Sequence, residues 1–314
     1  MGNRVTLQTI AEAVGVSRTT VSNAYNRPDQ LAPALRDQIL ETARRLGYSG
    51  PDPAARRLRS GRRDAIGLLL SDGLSHAFTD PAAGLLLQGI ARTVESAGLA
   101  LLLVPDRGGV QDAVVQSLCI YGLPAAHPSV RAALERRLPL VVVDEPRLAH
   151  HAYVGVEDRR GARLAAEHLL ALGHRRFALL CGTSATQGER LAGYRHAVEA
   201  AGARWAAPEP AALSDALVTD DRPTALLAGS DQLALAALEA ARDAGLVVPH
   251  DLSIVGFDDI PGAAWSVPAL TTVRQPLLHK GEIAGRMLTA ATGGGREVVL
   301  PVELVVRGST ARPG

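Results

Sequence analysis

In the first fifty residues the apolar positions recur at helical spacing. Leu7, Ile10, Ala11 and Val14 stand at i, i+3, i+4 and i+7, which predicts a helix over 7–14. Thr6 can cap its start, and Gly15 supplies a residue tolerant of positive φ for a tight turn. Ser17 can cap a second helix over 18–25, with Val21 facing inward. A third helix is predicted over 33–46. Pro33 suits its first position, Leu35, Ile39, Ala43 and Leu46 form its apolar face, and Gly47 ends it.

From Asp64 onward the pattern changes. Short continuous apolar runs alternate with helical stretches: "AIGLLL" (65–70), "LALLLV" (99–104), "LCIYGL" (118–123), "LPLVVVD" (138–144), "FALLCG" (177–182), "TALLAG" (224–229) and "LSIVGFDD" (252–259). Runs of this kind are strands buried on both faces, and the alternation implies parallel sheets with crossover helices. Seven or more such strands fit two α/β lobes with a ligand crevice at the strand ends. Two connections are short. Only about a dozen residues separate "LLLVP" from "LCIYGLP", and "ARWAAPEPAALSDALVTDD" leaves room for two helical turns at most. Both lobes are therefore expected to lack part of a helix, and the second a strand.

Charge divides the chain at the same boundary. Residues 1–63 hold eleven arginines against five acids, a net of +6, while the remainder nets −5. A basic head on an acidic body is the electrostatic footprint of a nucleic-acid reader. Two short helices joined by a glycine turn make a helix-turn-helix, whose second helix enters the DNA major groove at its start. That places Arg18, Thr19 and Asn23 against base edges, and Arg and Asn have the geometry for guanine and adenine. Thr20 and Ser22 are expected on phosphates. In "GPDPAARRLRSGRRDAIGLLL", residues 54–59 can form a short helix. There Arg56 and Arg59 can meet phosphates, while Leu58, an apolar wedge among arginines, suits a widened minor groove.

The stretches "VTLQTIAEAVGVSRTTVSNAYNRP", "LRDQILETARRLGY" and "DPAARRLRSGRRDAIGLLL" resemble the LacI/GalR family of bacterial transcription regulators. The likeness continues through "DRRGARLAAEHLLALGHRRFALL", "ERLAGYRHAVEAAG", "RPTALLAGSDQLALAALEAARDAGLVVPHDLSIVGFDDIP" and "PALTTVRQPLLHKGEIAGRML". It implies a small all-α helix-turn-helix head (1–50), a hinge helix or linker (51–63) and a two-lobed, periplasmic-binding-protein-like α/β core with parallel sheets (64–314). By this resemblance the first lobe takes about 64–158 and 276–292, and the second about 161–273 and 296–314. The resemblance also implies an effector site. Arg190 and Asp258 are its expected clamps, Asp158 a cleft residue, Ser230 a neighbour beside Asp231, and Phe78 an aromatic lid.

The chain has no G-x-S-x-G, H-E-x-x-H, Walker A or G-x-G-x-x-G pattern. Asp220–Asp221 and Asp258–Asp259 are adjacent pairs, whose side chains point apart on a strand. His150–His151 reads as a solvated pair, and Cys119 and Cys181 as buried thiols. A sugar-processing enzyme fused to a DNA-binding head, and a binding protein without DNA activity, are the alternatives. The expectation is a homodimeric, cytoplasmic, ligand-responsive repressor. It should read a near-palindromic operator, bind a small sugar-like effector, and need no cofactor, metal or membrane.

Overall fold

The computed structural model describes residues 5–48, 50, 64–70, 78–105, 108–291 and 294–314. The chain separates into two compact units, residues 1–63 and 64–314.

Among its described residues the head has three α-helices, α1 (Leu7–Val14), α2 (Arg18–Asn26) and α3 (Pro33–Arg45), with a 3-10 turn at Pro28–Gln30. Thr6 begins α1 with a reciprocal cap: its side chain accepts from Thr9 N, and the Thr9 side chain accepts from Thr6 N. Gly15 ends α1 at φ 76°, a left-handed conformation that costs glycine little. Ser17 caps α2 by accepting from Thr20 N at 3.0 Å. The three inner faces meet in a core of Ile10, Ala11, Val21, Ala24, Ile39 and Ala43. α3 has Pro33 in its first turn and no side-chain cap at Ala32.

The first lobe of the larger unit is a six-stranded parallel sheet in the order β11-β5-β4-β3-β1-β2. Its strands are β1 (Ala65–Leu70), β2 (Ala100–Val104), β3 (Ser117–Tyr121), β4 (Leu140–Val143), β5 (Ala152–Val156) and β11 (Glu297–Leu300). Its helices are α4 (Pro81–Ser96), α5 (Gly109–Asp112), α6 (Pro128–Glu135) and α12 (Leu277–Thr289). The second lobe has the order β12-β10-β9-β8-β6-β7, parallel except for β12. It contains β6 (Arg176–Leu180), β7 (Arg204–Ala206), β8 (Ala225–Ala228), β9 (Ser253–Asp258), β10 (Thr271–Arg274) and β12 (Glu303–Val305). Its helices are α7 (Asp158–Leu172), α8 (Ala185–Ala200), α9 (Leu213–Leu217), α10 (Asp231–Asp243) and α11 (Pro261–Trp265).

The chain crosses between lobes three times: from β5 into α7, from β10 into α12, and from β11 to β12. This corrects two expectations. Residues 297–300 do not join the second lobe, because Glu297–Leu300 pairs in parallel with Tyr153–Val156 at the edge of the first sheet. Nor does the second lobe lose its strand, because Arg204–Ala206 forms a three-residue edge beside Arg176–Ala178. The shortened connections do cost helix, since α5 spans four residues and α9 five.

The first lobe's helices α4 and α12 pack unusually close. A Cβ on Gly89 would collide with the Leu278 carbonyl, and one on Gly281 with the Leu86 carbonyl. Glycine at both positions lets the backbones touch, and this fixes the start of α12 beside the cleft.

Candidate functional site

On α2 the outer face sorts itself by hydrogen bonding. Thr20 Oγ1 lies 2.8 Å from Ser17 Oγ, and Ser22 Oγ accepts from Asn26 Nδ2 at 3.2 Å. Both hydroxyls are engaged within the helix. Arg18 and Thr19 are exposed and Asn23 is half-buried. Among the described residues their side chains have no hydrogen-bond partner. The residues expected to meet bases are thus those with unspent donors and acceptors. Arg56, Leu58 and Arg59 lie outside the described residues.

The larger unit places a cavity of about 330 Å3 between its lobes. Parallel strands of both sheets deliver their C-terminal ends to it: Leu70 at the end of β1, Tyr121 at the end of β3, Asp144 after β4, Ser230 after β8 and Asp258 at the end of β9. This is where an open parallel sheet presents a site, because the connecting loops splay apart there.

Arg190 on α8 anchors the second-lobe wall and is only 4% exposed. Its Nε donates to Asp158 Oδ1 at 2.8 Å, and its Nη1 donates to Gly229 O at 2.7 Å and Asp258 Oδ1 at 3.2 Å. The guanidinium lies over the Phe257 ring at 3.8 Å, a cation–π contact. Its Nη2 has no protein partner among the described residues. Asp258 stands at φ 123°, a strained position for a residue with a side chain. Its Oδ1 also accepts from Gln275 Nε2 at 2.6 Å, while Oδ2 has no protein partner among the described residues. The wall residues therefore keep one donor and one acceptor without a protein partner among the described residues. Together they match a pair of neighbouring hydroxyls on a ligand.

Burial pushes the Asp258 carboxyl up to about 7, against the opposing pull of Arg190 and with the Asp231 charge adding to the rise. Asp231 is pushed up to about 6 by burial, although Thr272 Oγ1 and Ile260 N both donate to it. Burial also raises Asp158, with Arg190 opposing.

Ser230 lines the cavity, with its Oγ accepting from Leu233 N at the start of α10. Asp158 lines a neighbouring cavity that shares Asp144, Glu145 and Thr186 with this one, and its Oδ1 accepts from Arg190 Nε. Phe78, the expected aromatic lid, is 71% exposed.

Other wall residues escaped the sequence reading. Asp144 and Glu145 come from the first lobe, and Gln275 from the second crossing. Glu145 Oε2 accepts from Ala185 N at 2.7 Å, so a first-lobe carboxylate caps a second-lobe helix. Asp80 Oδ1 accepts from Gln232 Nε2 at 3.3 Å, again across the cleft. Loop carboxylates of this kind have no spacing signature, because their partners lie 40 and 152 positions away in sequence. Among the described residues, no group of three or more His, Cys, Asp or Glu is placed to hold a metal.

Comparison with known proteins settles the family. Residues 6–50 match the bacterial regulatory proteins of the lacI family, and residues 166–310 a periplasmic binding protein-like domain. An HTH-type transcriptional regulator of Mycobacterium tuberculosis (strain ATCC 25618 / H37Rv) is 38% identical, over 99% of this chain and 98% of its own. The chain belongs to the LacI family. As a LacI-family protein it is a helix-turn-helix transcription regulator, and the enzyme readings fall away. Two solved structures are similar. One is a transcriptional regulator CelR–cellobiose complex, at 29% identity and TM-score 0.72, covering 98% of this chain and all of that one. The other is a lac repressor dimer bound to operator and the anti-inducer ONPF, at 27% identity and TM-score 0.79 with the same coverage. Among the described residues of this LacI-family chain, no helix is long and apolar enough to cross a membrane.

Proposed function

We propose that this protein is a cytoplasmic, homodimeric repressor that reads a near-palindromic operator and responds to a small polyhydroxylated, sugar-like effector. The observation that carries the DNA half is the outer face of α2, where Arg18, Thr19 and Asn23 keep their polar groups unspent. These three residues read base edges, and Thr20 and Ser22 position the helix on phosphates. Arg56 and Arg59 add phosphate contacts, and Leu58 enters the minor groove. Two heads related by a dyad match a two-fold operator.

The effector half rests on Arg190 and Asp258, which line one cavity and keep Nη2 and Oδ2 without a protein partner among the described residues. A ligand held by both lobes favours one lobe arrangement over another by its differential affinity, and the DNA-binding state shifts accordingly. The similar CelR structure with cellobiose makes a carbohydrate the first class to try.

The experiment is a thermal-shift screen of mono- and disaccharides, repeated on Asp258→Asn. A bound ligand raises the unfolding midpoint by mass action. The reading expects a sugar that stabilises the wild type and not the variant. A sugar that stabilises both equally removes Asp258 from the site.

A further inference from the structure

The chain carries 33 basic residues, and Lys280 is its single lysine. At exposed positions arginine replaces lysine with little consequence, so a chain that uses arginine everywhere else marks the exception as a place where arginine does not serve. Lys280 is that place. It lies in the first turn of α12 and is fully buried.

The ammonium donates to Asp144 Oδ1 at 2.9 Å, Asp144 Oδ2 at 2.7 Å and Gln275 Oε1 at 2.7 Å. These three bonds match its three protons. A compact tetrahedral donor can fan onto acceptors that converge on one point. The planar fork of a guanidinium is larger and directs its donors outward within one plane. Asp144 follows β4 at φ 63° and lines the cavity from the first lobe. Gln275 lies in the crossing from β10 to α12.

The Gln275 amide is fixed by charge at both ends. Its Oε1 faces the ammonium, so its Nε2 faces Asp258 Oδ1 at 2.6 Å. A flipped amide would set donor against ammonium and acceptor against carboxylate. A continuous line of charge-assisted bonds therefore runs from Asp158 and Arg190 through Asp258 and Gln275 to Lys280 and Asp144. It begins in the second lobe and ends in the first.

We propose that Lys280 is a positioning residue of the effector site: it holds Asp144 in the first lobe and, through Gln275, Asp258 in the second, so that a change at Asp258 is felt on the opposite wall of the cavity. The consequence rests on the cavity being the effector site. The linkage itself does not, and it is tested without a ligand, so its failure leaves the effector reading standing.

A single lysine makes the test direct. Full-length protein labelled with [15N]lysine gives one side-chain Nζ resonance. Asp258→Asn removes a charge on the far side of Gln275 without touching Lys280. The resonance is expected to shift in that variant. In a Gln275→Leu background the same Asp258→Asn change is expected to leave it where Gln275→Leu alone puts it. A resonance unmoved by Asp258→Asn, or moved equally in both backgrounds, overturns the proposal, the latter because the effect would then be a through-space field. Should Gln275→Leu fail to fold, Gln275→Met, which also lacks both polar groups, supplies the background, and the same two outcomes decide.

Discussion

Asn23 and Asp258 are the two side chains on which the account depends most. Asn23→Ala is expected to relax base preference at one operator position, at a cost of roughly 1–3 kcal/mol. Selection from random duplexes reads this as lost information at one position in each half-site. For Asp258 the prediction concerns pH. The group's ordinary value is 3.8, and burial raises it to about 7 in the folded chain. The native state therefore holds a proton that the unfolded chain has released between about pH 4 and pH 7. This group's contribution to stability falls as pH rises through that window and is level above it. Denaturant unfolding at stepped pH should show that slope in the wild type and a shallower one in Asp258→Asn. Ligand affinity should move the other way, weakening below pH 7 as the acceptor is protonated. Arg190 and Asp258 were legible in the sequence because "ERLAGY" and "GFDD" are local motifs. Lys280 was visible as a compositional oddity, but its role was not, since its partners Asp144 and Gln275 come together only in the fold.

Helix α2 is a good example of an element fixed by local chemistry. Its cap, its turn and its inward Val21 are all within a few residues of one another, and its predicted span differs from the observed one by a single residue. Ser17→Ala should destabilise the head by about 0.5–2 kcal/mol through loss of the cap, measured by denaturant unfolding of the full chain followed at the Tyr25–Tyr48 contact. β7 and β11 are the opposite case. Each is an exposed edge of three or four residues, so alternation is too brief to register, and the sheet a strand joins is settled by pairing far away in sequence. The α4–α12 contact was equally hidden, because glycine within a helical pattern gives no sign that another backbone approaches. Gly281→Ala should cost about 1–3 kcal/mol or more by overpacking against Leu86. Because it displaces the first turn of α12, it should also disturb Lys280.

On the scale of the whole molecule, the head and the two-lobed core answer to different physics. The head is small, basic and outward-facing, whereas the core buries large apolar clusters and keeps its polarity for the cleft. Among the described residues, Val267 at 94% and Trp265 at 80% are the most exposed large apolar side chains, and they lie two positions apart on the second lobe. Such neighbours mark an association face. Trp265→Asp combined with Val267→Asp is expected to shift the protein from dimer to monomer in sedimentation, and to weaken operator binding by removing the second half-site contact. A dimer of unchanged strength would place the two-fold interface elsewhere. The most direct test of the account is selection of random DNA duplexes by the full-length protein, run beside Asn23→Ala. A two-fold symmetric site is expected for the wild type, with preference lost at one position per half-site in the variant. No enriched sequence, an asymmetric one, or an identical site from the variant would contradict it.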